Sequence, residues 1–87
     1  MRTFILDGAA VMGREDLHEK LARGLGLPEW YGGNLDALYD CLTDLEDTVI
    51  RIENRFDLEE SLGNYANSLL RVLKDAAEEN PQLQLEL

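Results

Sequence analysis

Cysteine occurs once in this chain, at Cys41, so no disulfide can close within it. A lone thiol fits a reducing compartment, and Cys41 lies toward the apolar flank of a helical pattern, which reads as packing rather than nucleophilic chemistry. Histidine also occurs once, at His18. One imidazole without partners makes no zinc site, and beside an apolar stripe it reads as structural. Basic residues are scarce: eight Lys and Arg stand against 18 Asp and Glu, a formal charge of −10. Such a chain is repelled by nucleic acid and anionic membranes and is drawn to basic surfaces. No apolar run reaches the roughly 18 residues of a membrane span. The apolar start Phe4-Ile5-Leu6 is cut short by Asp7, so no secretion signal is expected, and the cytoplasm is the expected location.

What is present fits one globular domain over residues 1–87, since 45% apolar residues argue against disorder. Residues 3–6 predict a strand whose consecutive apolar side chains suggest cover on both faces, and so the middle of a sheet. Arg14–Leu25 predicts an amphipathic helix with Leu17, Leu21, Gly24 and Leu25 inward, stopped by Gly26 with Pro28 just beyond. Thr48–Glu53 is β-branched and partly alternating, a second strand. Residues 56–62 suggest a short helix ended by Gly63-Asn64. Residues 65–79 form the longest helical pattern, with Leu69, Val72, Leu73 and Ala76 on one side, and Asn80-Pro81 closes it. Residues 82–87 alternate as an edge strand would. The order β-α-α-β-α-α-β predicts an α/β fold: a small three-stranded parallel sheet packed by about four helices, with right-handed crossovers.

One stretch stands apart. Residues 27–47 contain no Lys or Arg, yet they carry Glu29, Asp36, Asp40, Asp44, Glu46 and Asp47. Pro28 and Gly32-Gly33 keep the first part irregular. Asn34 suits an N-cap, and Asp36 suits the positive end of the helix that follows. Leu35, Leu38, Leu42 and Leu45 then share one face, flanked by Cys41. Asp36, Asp40 and Thr43 gather opposite, with Asp44 and Tyr39 on the two flanks, and the loop ahead supplies Trp30 and Tyr31. Like charges at i, i+4 and i+8 each cost a few tenths of a kcal/mol. Asp44 also lies toward the negative helix end. A face kept at such a cost points to a partner with the opposite charge; the plain alternative is a solvated face of an acidic protein. Catalysis finds no support, because there is no base–nucleophile set, no phosphate-cradling loop after a strand and no EF-hand spacing. Asp36 and Asp40 alone offer too few oxygens for Mg²⁺ or Ca²⁺.

The run LPEWYGGNLDALYDCLTDL, residues 27–45, closely resembles the signature of the barstar family, bacterial intracellular inhibitors of secreted ribonucleases. Asp16-Leu17-His18 in the first helix and the order of elements extend the resemblance over essentially the whole chain. It implies the same small parallel sheet, no enzymatic activity, no cofactor and no metal. It also implies a one-to-one complex in which the acidic helix and its loop enter a ribonuclease's active-site cleft, with carboxylates standing where RNA phosphates belong. On this chain the matching positions are Trp30, Asn34, Asp36, Tyr39, Asp40 and Thr43. Gly32 and Asp44 join them, with Asp75 and Glu79 of the long helix as an outlying acidic pair. A cap for Asn34, a hinge for Gly32 and an ordinary flank charge for Asp75 are the plain alternatives. The free protein is expected to be a monomer that touches neither nucleic acid nor membrane directly. Tyr39 and Leu45 stand where the family's best-known member has Trp, and Gly33 and Asp75 replace glutamates. The segment 45–48 is one residue shorter and lacks a proline. These departures bear on which nuclease is recognised. The alternative is a barstar-like interaction module that neutralises a non-ribonuclease toxin or regulates another basic partner.

Overall fold

A computed structural model describes all 87 residues, Met1–Leu87. The elements run β1 (Arg2–Asp7), a 3-10 turn (Gly8–Ala10), α1 (Arg14–Leu25), α2 (Leu35–Thr43), β2 (Thr48–Glu53), α3 (Arg55–Leu62), α4 (Asn64–Glu79) and β3 (Leu83–Glu86). The fold is α/β, with four helices on a three-stranded parallel sheet, as the alternation of patterns predicts. α1 begins and ends where the sequence places it, and the Gly26 amide donates back to the Ala22 carbonyl at its end. α2 is shorter than its leucine period suggests. It closes at Thr43, and Leu45 packs on the core from beyond the helix.

The strand order corrects one expectation. β2, not β1, is the central strand: Arg2 pairs with Thr48 on one side, and Thr48 pairs with Leu83 on the other. The run Phe4-Ile5-Leu6 misleads because β1 is an edge strand whose outward face is open, although Val49 on the same face of the central strand is buried. Leu6, Ile50, Ile52 and Leu83 point into the core, whereas Ile5 lies on the opposite face and is 47% exposed. That open face is finished by polar side chains, among them the Arg51–Glu86 ion pair at 2.7 Å. The richest strand is the central one, with Thr48, Val49, Ile50 and Ile52 all buried. β3 is an edge strand, as its alternation predicts.

The core is one cluster of 17 buried residues drawn from every helix and strand. Leu17, Leu21 and Leu25 bring α1 into it, and Gly24 lets that helix lie directly on the sheet. A Cβ at Gly24 would clash with the Phe4 ring, so any larger residue would force either that ring or α1 to shift. Leu38 and Leu42 of α2 are fully buried, as are Leu69, Leu73 and Ala76 of α4. Burying a leucine contributes roughly 1.5–3 kcal/mol relative to exposure, so these stripes fix which way each helix faces. The polar side of α2 is thereby turned outward.

Candidate functional site

Asn34 begins the site. Its backbone is extended and its Oδ1 accepts from the Ala37 amide at 2.8 Å, which fixes the first turn of α2. The cap reading of Asn34 therefore holds, and its amide group is left free for other partners. Gly33 just before it has φ +68°, a region that glycine occupies without strain. Gly32 has no such φ, so of the two glycines the loop's shape depends on Gly33.

From that start, Asp36 and Asp40 stand exposed one turn apart on the outer side of α2. Thr43 is half-buried, and its hydroxyl donates to the Asp40 carbonyl at 2.9 Å, so its oxygen still accepts. Asp44 caps the helix end and is exposed, with no basic residue in the last turn to offset the helix's negative end. Trp30 is 68% exposed in the loop. It shares a small cleft of about 160 Å³ with Leu27, Pro28, Cys41, Asp44 and Leu45, so the loop and the far end of α2 meet there.

α4 packs along α2 and adds the outlying acids. Tyr39 lies half-buried between the helices, and its phenol is pushed above its ordinary pKa by burial and then by the carboxylates of Glu79, Asp75 and Asp40. It therefore stays protonated at neutral pH and can donate a hydrogen bond from the middle of an acid field. Asp75 also borders a second groove with Arg55, Arg71 and Lys74. Glu79 weighs more than Asp75 in the field at Tyr39. None of Asp36, Asp40, Asp44, Asp75 and Glu79 is in an ion pair. The pairs that exist join Met1 to Asp47, Lys20 to Asp16, Arg23 to Glu19, Arg51 to Glu86 and Arg55 to Glu59.

Two residues that shape this surface were not legible as such in the sequence. Asn80, marked there only as a helix stop, is 6% exposed, and its amide donates to the carbonyls of Leu42 and Leu45 at 2.9 and 2.8 Å. Its Oδ1 accepts from the Gln82 amide at 3.0 Å, so one side chain ties the end of α2 to the α4–β3 connection. His18 is the other. It is buried and bonded through both ring nitrogens to Tyr31 and Tyr65. Cys41 is buried and free, and burial, with Asp40 and Asp44 nearby, pushes its thiol up in pKa. An elevated, covered thiol is a poor nucleophile. A thiol reagent such as DTNB is expected to leave the native protein unmodified and to react once in denaturant; prompt reaction in native buffer would contradict the packing seen here.

No group of three or more His, Cys, Asp or Glu side chains is arranged to hold a metal ion. No helix is long and apolar enough to cross a membrane. A parallel sheet under four helices, with unpaired carboxylates on the outer faces of two of them, defines a small acidic α/β protein that offers a helix surface rather than a deep cleft. The chain belongs to the barstar family, whose model, described as Barstar (barnase inhibitor), matches residues 1–87. It is also 41% identical over 81 residues to a Bacillus subtilis (strain 168) protein named "Putative ribonuclease inhibitor YrdF", covering 91% of this chain and 89% of that one.

Proposed function

We propose that this protein is a ribonuclease inhibitor. It binds one nuclease per chain and occludes the active site with α2, the loop before it and the acid flank of α4. The observation that carries this reading is the unpaired acid face. Five cations elsewhere, the N-terminal amine among them, are paired with carboxylates, while Asp36, Asp40, Asp44, Asp75 and Glu79 are left without a cation although Arg2, Arg14, Arg71 and Lys74 are also unpaired. A surface that repels itself is stabilised only when a cationic partner arrives. Family membership and the name of the Bacillus relative support the same reading. Trp30 and Tyr39 supply aromatic area beside the charges, the usual composition of an interface centre. The free protein is a monomer, acts inside the cell, and has no catalytic role of its own.

The test is capture from the source organism on immobilised protein, followed by an RNase assay of the eluate with and without added inhibitor. A captured nuclease whose activity is restored on separation supports the reading. Capture of a basic protein without RNase activity would replace it with a module that neutralises another partner. The purified protein alone is expected to leave RNA intact.

Association is expected to be salt-sensitive. A −10 chain approaching a basic cleft is steered over about a Debye length, about 10 Å at 0.1 M salt. On-rates on the order of 10⁸ M⁻¹s⁻¹ at low salt follow from this, a scale to which this family's reference complex itself contributes. Stopped-flow rates that stay level from 20 mM to 500 mM salt would exclude electrostatic steering.

A further inference from the structure

Apart from the packing of Leu27 and Tyr31 on the core, the loop ahead of α2 is held to the rest of the molecule by one hydrogen bond. Between Pro28 and Gly33 the only backbone bond is internal, from the Tyr31 amide to the Pro28 carbonyl at 3.0 Å. The exception is the Tyr31 hydroxyl, which meets Nδ1 of His18 on α1. The other ring nitrogen, Nε2, meets the hydroxyl of Tyr65 in the first turn of α4 at 2.7 Å. A single imidazole, 6% exposed, thus joins the loop to two helices. We propose that His18 is a positioning residue for the binding surface: its neutral ring, held by Tyr65, clamps Tyr31 and so fixes the segment carrying Trp30, and protonation of the ring releases that segment.

The chemistry follows from the number of protons. A neutral imidazole has one N–H and one lone pair, so one phenol accepts from it and the other donates to it. The imidazolium has two N–H groups and no acceptor. The phenol that donated must then turn its hydrogen away, in a half-buried place where an unmatched donor is costly. Tyr31 does not resolve this by ionising: burial, Tyr65 and Cys41 raise its phenol well above its ordinary range. Nor is there a ready counter-ion. Arg14 and Glu15 of α1, Asp36 of α2 and Tyr65 of α4 line the groove on one side of the ring, and Glu19 lies on the other. None of these carboxylates pairs with His18. Arg14 adds a positive charge, its guanidinium centred 4.2 Å above the Tyr65 ring. Burial accordingly lowers the His18 pKa from 6.5. The unfolded chain therefore takes up its proton before the folded one does. The clamp's contribution to stability is full above about pH 6.5 and is lost as pH falls through the lower folded value.

The clamp itself is testable without a partner, because the only tryptophan in the chain sits next to Tyr31. The His18 ring is titrated by NMR from pH 8 to pH 4.5, and acrylamide quenching of Trp30 is followed over the same range. Quenching is expected to rise as pH falls, with a midpoint within about 0.3 pH unit of the ring's own. In His18→Gln, which keeps a donor and an acceptor but does not titrate, the step is expected to vanish. Tyr65→Phe, which leaves the fold's packing in place, is expected to shift both midpoints together. Flat quenching through the ring's titration overturns the proposal, as does an unchanged step in His18→Gln or separate midpoints in Tyr65→Phe. If His18→Gln does not fold by far-UV circular dichroism, Tyr65→Phe decides alone. The consequence for binding rests on the inhibitor reading. With a captured nuclease, the ratio of wild-type to His18→Gln affinity is expected to fall as pH drops, and that ratio cancels the nuclease's own titration. A failure to capture any nuclease would count against the inhibitor reading and leave the loop measurement intact.

Discussion

Asp40→Ala is expected to weaken binding to the cognate nuclease by about 2–5 kcal/mol or more, mainly through faster dissociation, a range to which this family's reference complex itself contributes. Asp40 lies mid-helix, so neither capping nor the helix dipole explains an aspartate there. Its carbonyl receives the Thr43 hydroxyl, but its carboxylate enters none of the ion pairs. Asp36 lies one turn away on one side and Asp44 caps the helix on the other, while Tyr39 offers a protonated phenol beside it. A partner that covers this centre excludes water and strengthens the charge pairs it makes. Removing the carboxylate then strands the partner's cations in the dry interface. The proper control is Glu59→Ala, on α3, where an exposed i, i+4 contact to Arg55 at 3.7 Å is all that is lost. That change should move binding by less than about 1 kcal/mol. Asp40→Ala itself should melt at or slightly above the wild-type temperature, because a like-charge repulsion is gone. Binding within threefold of wild type by a folded Asp40→Ala protein would remove α2 from the inhibitory surface.

The largest expected loss of stability away from the apolar core is at Asn80. Asn80→Ala deletes two donors to the Leu42 and Leu45 carbonyls and the acceptor for the Gln82 amide, all at a buried position. Each such bond is worth about 1 kcal/mol net, and a buried carbonyl left without a partner costs more, so the sum is roughly 2–4 kcal/mol. For a chain of this size each kcal/mol shifts the melting temperature by about 4–8 °C, so the midpoint should fall by roughly 10 °C or more. Gln82→Ala, whose exposed side chain makes no bond, should be neutral within about 0.5 kcal/mol. Because Asn80 holds the end of α2, its loss should also loosen Asp44 and weaken binding beyond what the lower melting point explains. A thermal shift under 3 °C would show that the end of α2 is secured by packing alone.

The parts of the molecule legible in the sequence are those set by neighbours along the chain. α1 was readable because its leucines repeat at the helical period and Gly26 stops it. The start of α2 was readable because an Asn34 cap and Asp36 in the first turn are local chemistry. The separation of Leu38 and Leu42 from Asp36 and Asp40 is a matter of 100° steps, and the structure keeps it. What failed, or stayed invisible, depends on residues far apart. Ile5 reads as a buried strand residue until β1 is seen to lie at the edge of the sheet. Strand order is decided by which strand takes two partners, and no local pattern in residues 3–6 records that. Asn80 reaches back to α2 across 38 positions, and His18 finds Tyr65 across 47. A lone histidine on an apolar stripe reads as structural; the structure adds what it holds.

The parallel sheet also governs how the chain reaches this state. β1 cannot fold back on β2 through a hairpin, since parallel neighbours require a long crossover. The crossover that joins them contains α1, the aromatic loop and α2, and a second one with α3 and α4 leads to β3. Every backbone bond in the sheet therefore waits on closure of a long loop, which places refolding toward the slower end for a chain this short. During synthesis β1 emerges first and remains unpaired until β2 and the intervening helices have followed it. The proposed binding segment is thus carried inside the β1–β2 crossover, and substitutions on its inward face should register in refolding rate before they register in affinity.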